Sequence, residues 1–338
     1  MLVAYLVQPE TIEIRDCPVP EPGAGEIVVR TKAALTCGTD LKAYLRGHAL
    51  IPMPGPFGHE FSGVVHRAGK GVTRFRESDM IMSVHSAPCR ECPSCKRGFF
   101  NLCDTIMHTK VLGAFSEYIL LPNHVVEQNA YLKPGDLPFE EAAMLEPLAC
   151  VVHPYAAMDF SGIETALILG AGPIGLLHLL FLRMKGIHVI VADTNRRRLA
   201  FAIASGAASG ALPADLKEKI REETSGTGVD LVVECTGQPD VWESTVRYIR
   251  RGGMVILFGG CKSDTRVSFD THRLHYDEIR LTGSFHYTPA DVHHAYTLLS
   301  EKRLSVSSLI SGRVQLRDIR SAFELLRRGE GMKYAILP

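Results

Sequence analysis

Residues 166–180 read ALILGAGPIGLLHLL, and the reading of this stretch decides the fold. An apolar run of strand length ends at Gly170, and an apolar run of helical length opens at Pro173. Between them Gly170, Gly172 and Gly175 make a GxGxxG turn. In such a turn the first glycine allows the sharp reversal and the second lets backbone approach a diphosphate. The third lets the helix close on the strand. Asp193 follows eighteen residues after Gly175, at the end of HVIVAD. A carboxylate at that strand end accepts hydrogen bonds from ribose hydroxyls and repels a 2′-phosphate. The stretch therefore predicts a dinucleotide fold with the diphosphate resting on the helix N-terminus. Gly170, Gly172, Pro173, Ile174, Gly175 and Asp193 are its cofactor-binding residues, with NAD as the cofactor. Arg196, Arg197 and Arg198 lie just beyond; they could hold a 2′-phosphate or form a solvated helix face, so NADP stays open as the alternative.

The pattern outward from this turn alternates apolar strands and helices. ALILG is followed by a helix over Pro173 to Lys185, then HVIVAD and a helix starting near Asn195. VDLVVECTG, a helix over Asp240 to Arg250, GMVILFG and a last strand near IRLTGSF continue the series. Alternation of this kind predicts a doubly wound parallel sheet. The first third instead reads as short strands broken by Gly and Pro: VAYLV, EIVVRTKAAL, FSGVVHRAG, MIMSV and FSEYILLP. Helical periodicity begins at Phe139, in FEEAAMLEPLACVVHPYAAM. After the nucleotide-type segment come a helix over Ala290 to Lys302, strand-like SLISGRVQL, a helix over Ile319 to Arg328, and KYAILP.

Lys plus Arg equals Asp plus Glu at 37 each over 338 residues, so no net field draws the chain to nucleic acid or an anionic membrane. MLVAYLVQPETIEIRD turns acidic too soon for a secretory signal. The greasiest stretch, residues 174–182, contains His178 and stops at Arg183, short of a membrane span. These features, with nine cysteines, predict a cytoplasmic protein.

Cys89, Cys92, Cys95 and Cys103 crowd into PCRECPSCKRGFFNLC. Four thiolates in so short a segment close a tetrahedral shell around one zinc and leave no ligand position open. A disulfide framework is the competing reading, and the five other, scattered cysteines argue against it. Such a site holds a loop together, so the chemistry lies elsewhere. Cys37 in ALTCGTD, the pair His59–Glu60 in GPFGHEFSGVV, and Glu146 in MLEPLAC supply the residue types of an open zinc site.

The chain resembles the zinc-dependent medium-chain dehydrogenase/reductase family, in its polyol (sorbitol- or iditol-like) and threonine dehydrogenase branch. The resemblance is carried by CGTD at 37–40, GHEFSGVV at 58–65 and the four-cysteine lobe at 89–103. EPLAC at 146–150, GAGPIG at 170–175 and D-x4-R-L at 193–199, which contains Arg198, extend it along the chain. It implies a split, β-rich, GroES-like catalytic domain around an inserted Rossmann domain of doubly wound parallel sheet. The expected boundaries are 1–150 (with the lobe at 89–103), 151–287 and 288–338.

The resemblance also implies Cys37, His59 and Glu60 as catalytic zinc ligands, with Glu146 where classical alcohol dehydrogenases place a cysteine. Cys89, Cys92, Cys95 and Cys103 would hold a second, structural zinc. Thr39 matches a hydroxyl that passes the substrate proton toward the cofactor ribose, though it could instead be an N-cap. Relatives carry a histidine three residues later, where this chain has Lys42; His48 or water would have to stand in. The reaction implied is hydride transfer from a secondary alcohol, a polyol or sugar alcohol, to NAD. L-threonine 3-dehydrogenase and a non-catalytic dinucleotide-binding protein are the alternatives. The implied partners are a small-molecule alcohol and further copies of the chain, as dimer or tetramer. His272, His275 and His286 fall near the end of the nucleotide segment with no assigned role.

Overall fold

The computed structural model describes residues 1–338 and divides into two compact units. One comprises Met1–Cys150 and His286–Pro338; the other is Val151–Phe285.

The second unit is built on six parallel strands in the spatial order Ser209–Ala211, His188–Ala192, Thr165–Leu169, Val229–Glu234, Ile249–Leu257, Arg280–Gly283. The central strands are buried along almost their whole length, which is why they read as unbroken apolar runs rather than alternating ones. Strand order reverses between Thr165–Leu169 and Val229–Glu234, where Ile168 pairs with Val191 on one side and Val233 on the other. A crevice at the carboxyl ends of such strands is where doubly wound folds bind ligands. The glycine turn leaves Thr165–Leu169 at that point and enters the helix Pro173–Met184.

Two expected helices are shorter than their periodicity suggests. The helix expected over Asp240 to Arg250 ends at Ser244, passes through a 3₁₀ turn over Thr245–Arg247, and gives way to strand at Ile249. Ser244 Oγ and Thr245 Oγ1 donate to the carbonyls of Val241 (2.8 Å) and Trp242 (2.6 Å), taking acceptors that a continuing helix would use. Ile249 is buried and pairs with Val229. The run from Phe139 breaks into Phe139–Ala142 and Leu145–Val152. Pro147 has no N–H to offer the preceding turn, so it fits only in the opening turn of a new helix.

The first unit holds a three-stranded sheet, ordered Thr11–Asp16, Leu2–Gln8, Gly55–Pro56. Its seven-stranded sheet runs Ile310–Gln315, Lys333–Leu337, Ile27–Leu35, Glu60–Ala68, Met80–Ser83, Ala130–Leu132, with Tyr118–Leu121 also paired to Ile27–Leu35. The C-terminal strand is thus seated inside the sheet, beside the strand that leads to Cys37. The helix Ile319–Arg327 buries Ile319, Ala322, Phe323 and Leu326 along one stripe. Phe323 packs on Phe57 and Tyr44 with ring centroids 5.6 and 5.3 Å away, and Phe57 meets Phe115 edge-on at 4.9 Å. No helix is long and apolar enough to cross a membrane.

In the nucleotide-type unit His178 is wholly buried, its Nδ1 2.7 Å from Tyr155 Oη and its ring edge-on to Phe258 at 4.7 Å. Burial pushes its pKa down to about 3, so it is neutral in the fold. The unfolded chain takes up this proton below about pH 6.5, so the contribution to stability is whole above that pH and drains away as pH falls toward 3. Acidification from pH 6.5 to 4.5 is expected to cost the parent chain about 2 kcal/mol more than His178→Gln, the slope reaching about 1.4 kcal/mol per pH unit once the unfolded histidine is fully protonated. Urea unfolding of both proteins across that range measures the difference; parallel profiles would refute it.

Candidate metal centres and cofactor site

The sulfurs of Cys89, Cys92, Cys95 and Cys103 all lie within 4.8 Å of one another. All nine cysteines are free thiols, which removes the disulfide reading. Sulfurs arranged tetrahedrally at about 2.3 Å from a zinc stand about 3.8 Å apart. The Cys89–Cys103 and Cys92–Cys103 separations of 3.5 and 3.9 Å fit that shell. The loop also prepares its ligands. The N–H groups of Glu91 and Cys92 donate to Cys89 Sγ at 3.5 and 3.4 Å and draw its pKa below that of an ordinary thiol.

The second cluster is assembled from distant segments. Cys37 ends the turn after Ile27–Leu35 and caps the helix Gly38–Arg46, its Sγ accepting the Thr39 N–H at 3.4 Å. Capping therefore belongs to Cys37, not Thr39. Asp40 completes the capping box: Oδ2 accepts the Cys37 N–H at 3.2 Å, and Oδ1 lies 3.3 Å from His59 Nδ1. A buried carboxylate on Nδ1 fixes the ring and leaves Nε2 for a metal. Burial opposes charge on His59, but Asp40 and then Cys37 outweigh it and raise its pKa well above the usual value. Two ligand-type trios meet at this imidazole: Cys37, Asp40 and His59, and His59, Glu60 and Glu146.

Glu60 opens the strand Glu60–Ala68 with no exposed surface, and Lys333 is 1 % exposed at the start of Lys333–Leu337. Lys333 Nζ donates to Glu60 Oε1 at 2.8 Å and Oε2 at 2.6 Å, and to the Thr36 carbonyl at 2.8 Å. All three ammonium protons are thereby used. Burial works against the charge on Lys333, yet Glu60 and then Cys37 offset it and leave its pKa above that of free lysine. Burial raises Glu60 and Lys333 draws it back; with both oxygens on the ammonium, the pair is ionic. Glu146, in Leu145–Val152, accepts the Cys150 thiol at 3.7 Å. Burial, then Glu146, raises that thiol well above the usual range, so it stays S–H and donates. Thiolate, imidazole and carboxylate, with anions in excess, fit a zinc ion.

In the nucleotide-type unit Gly170 has φ +103°, and a Cβ on Gly175 would fall 1.9 Å from the Gly170 carbonyl oxygen. Gly172 has nothing within 4 Å of a Cβ position, and as N-cap it leaves the opening N–H groups of the twelve-residue helix without a side-chain cap. That open, N–H-lined space suits a diphosphate. Asp193 Oδ2 accepts the Ala171 N–H at 2.7 Å and Oδ1 the Asn195 N–H at 2.8 Å, so the ribose-type carboxylate is braced against the glycine turn. Asn195 caps the next helix through Arg197 N (2.9 Å) and Arg198 N (3.4 Å). Arg196 and Arg197 are exposed; Arg198 is half-buried with Nε unpartnered.

Sequence reasoning passed over Asp40, Lys333 and His85, the last with Nδ1 3.5 Å from Glu146 Oε1. Asp40 had a visible signal, an acid three residues after a capping position. Lys333 had none, because its partner is 273 residues away.

Lys333→Met leaves Glu60 buried without a counter-charge and is expected to destabilise the protein by about 3–5 kcal/mol. Adding Glu60→Gln should recover most of the loss in urea titrations; an unaltered midpoint for the single variant would contradict the pairing. In the lobe, Cys95→Ala is expected to lower bound zinc from two ions per chain to one, measured by elemental analysis of the purified protein.

Residues 23–130 match the family described as alcohol dehydrogenase GroES-like domain, and residues 173–301 match zinc-binding dehydrogenase. The chain is 32% identical to D-altritol 5-dehydrogenase of Agrobacterium fabrum over 313 residues, covering 90% of each protein. It is 29% identical to sorbitol dehydrogenase of Halalkalibacterium halodurans over 335 residues, covering 96% of this chain and 95% of that one. Among solved structures, a zinc-binding dehydrogenase from Sinorhizobium meliloti 1021 bound to NADP superimposes with a TM-score of 0.88 at 29% identity. The match covers 100% of this chain and 99% of the other. With two ligand clusters of zinc type, a glycine turn at the switch point of a parallel sheet, and relatives matching along nearly the whole length, the chain belongs to the zinc-dependent medium-chain dehydrogenase/reductase family, in its polyol-dehydrogenase branch.

Proposed function

We propose that this chain oxidises a secondary alcohol of the polyol or sugar-alcohol class to a ketone, with NAD as hydride acceptor. The observation that carries this reading is an open cluster made of two ligand-type trios that share His59, namely Cys37, Asp40 and His59, and His59, Glu60 and Glu146, separate from the lobe of four thiols. Zinc in the open cluster supplies Lewis acidity to a substrate hydroxyl. The chain's own residues do the rest. Cys37 and His59 hold the metal, Asp40 sets the imidazole, and Lys333 keeps Glu60 ionised and in place. Glu146 is the second carboxylate available to the shell. Thr39, the second residue of the helix that Cys37 caps, is the hydroxyl offered to the substrate proton. Cys89, Cys92, Cys95 and Cys103 hold the structural zinc.

The polyol reading is supported by the relatives named sorbitol dehydrogenase and D-altritol 5-dehydrogenase. Lys333, the cation touching the cluster, is consumed by Glu60 and Thr36 and is not available to an amino-acid carboxylate. Gly170, Gly172, Pro173, Ile174, Gly175 and Arg198 are read as cofactor-binding residues, and Asp193 among them favours NAD. The solved relative bound to NADP makes that residue, not the fold, the basis of the preference. We also read the chain as a cytoplasmic homo-oligomer, with the outer edge of Arg280–Gly283 as the pairing strand.

Zinc-replete protein is expected to form NADH from one or more members of a panel of sugar alcohols, inositols and diols, faster than it forms NADPH. Cys37→Ala should lower turnover by more than the roughly 10- to 100-fold that loss of a ligand's outer partner costs, while NADH still binds. Turnover on L-threonine alone would transfer the protein to an amino-alcohol substrate. Full activity in Cys37→Ala would overturn the metal assignment.

A further inference from the structure

The strand Val229–Glu234 ends on an acid whose side chain has no exposed surface. A carboxylate buried at the end of a core strand is costly unless its lone pairs are used. Glu234 pairs in register with Leu169 on one side and Leu257 on the other, so it stands at the carboxyl ends of three neighbouring strands. Nothing in the reaction proposed above uses it.

Glu234 holds two loops at once. Its Oε1 accepts the Thr236 N–H at 2.6 Å and the Gly237 N–H at 3.1 Å, together with the Thr236 hydroxyl. Its backbone carbonyl accepts the N–H groups of Phe258 at 3.0 Å and Gly259 at 2.8 Å. The two loops then meet backbone to backbone. A Cβ on Gly259 would fall 2.3 Å from the Gly237 nitrogen and 2.8 Å from Glu234 Oε2. With glycine at both 237 and 259, the loops have no side chains of their own to interlock, and the carboxylate sets their spacing. Trp242, the chain's single tryptophan, donates from Nε1 to the Gly259 carbonyl at 2.9 Å. The first loop is also tied to the glycine turn. The Cys235 N–H donates to the Leu169 carbonyl at 2.9 Å, and Thr236 Cγ2 lies 3.0 Å from a Cβ position on Gly170.

A dinucleotide whose diphosphate rests on the glycine turn has one nucleoside on each side of it. Asp193, directly after the strand His188–Ala192, marks the adenosine side. The other half falls on the side of Val229–Glu234 and Ile249–Leu257, where the two loops lie. We propose that Glu234 is a positioning residue for the nicotinamide half of the cofactor, fixing residues 236–237 and 258–260 as the wall on which that half rests. This role rests on the NAD reading proposed above. Glu234 touches no cofactor atom itself; it acts through the backbone it holds.

Glu234→Met keeps a similar side-chain volume and removes both oxygens. Titration calorimetry with NADH and with ADP-ribose, which lacks the nicotinamide, separates positioning from folding. In this variant the Kd for NADH is expected to rise at least about tenfold, the scale set by leaving one buried N–H without an acceptor, while that for ADP-ribose changes by less than about twofold. Glu234→Gln keeps one acceptor oxygen and should recover most of the loss. Emission from Trp242 gives a second readout without turnover: NAD should alter it in the parent protein, and ADP-ribose should not.

Equal weakening of both ligands in Glu234→Met would show a role in folding alone and overturn the proposal. Unaltered NADH binding, or Trp242 emission that answers NAD and ADP-ribose alike, would also overturn it. Should Glu234→Met fail to fold, Gly259→Ala, whose Cβ would push the loops apart, decides by the same pair of ligands. A parent protein that binds neither ligand would overturn the cofactor reading and this role with it. Binding of NADH with no turnover on any polyol would remove only the substrate reading, and the comparison of the two ligands would still decide.

Discussion

The catalytic unit depends on one buried ion pair, Glu60 with Lys333. A carboxylate with no exposed surface is costly unless its charge is matched and its lone pairs are used. Lys333 meets that need with two of its ammonium hydrogen bonds and spends the third on the Thr36 carbonyl, one residue before Cys37. A single side chain thus fixes the residue beside His59 and the backbone leading into Cys37. This requires a strand beginning at Lys333 inside the sheet, next to Ile27–Leu35, and accounts for the return of the chain to its first unit after the nucleotide fold. The aromatic packing of Phe323 on Phe57 and Tyr44 secures the same return from the apolar side.

The two metal clusters differ as their donors differ. The lobe offers four sulfurs at near-tetrahedral spacing, with backbone N–H groups already aimed at them, and so has no vacancy for a substrate. The other cluster mixes sulfur, nitrogen and oxygen, and its oxygens have competing partners: Lys333 for Glu60, the Cys150 thiol and His85 for Glu146. A ligand with another partner can be gained or released at modest cost. Competition of this kind suits a site that must exchange one oxygen ligand for another during turnover.

What was legible in the amino-acid sequence follows from how far apart the interacting residues lie. The glycine turn could be read because Gly170, Gly172 and Gly175 meet their steric demands within one strand–turn–helix. The lobe could be read for the same reason. Cys37, His59, Glu60 and Glu146 were recognisable as residue types, but what holds Glu60 was not, since its contact with Lys333 joins segments 273 residues apart. Helix lengths failed where side-chain chemistry overrides periodicity: Pro147 forces a restart, and the hydroxyls of Ser244 and Thr245 turn the chain early toward Ile249. Asp40 was within reach, since a capping box is a local pattern, but attention to ligand types alone passes over an acid whose partner is a ligand.

The local closure of the lobe has a consequence for how the protein is made. Its sulfurs and the N–H groups that serve them lie between residues 89 and 104, so a growing chain holds every donor of the loop once residue 104 has been added. The other cluster gains Glu146 much later, and Glu60 meets its counter-charge only when the last strand is made. The order in which the two donor sets become complete is thereby set by the chain: the lobe can close by itself, while Glu60 is left without its counter-charge until Lys333 has been added.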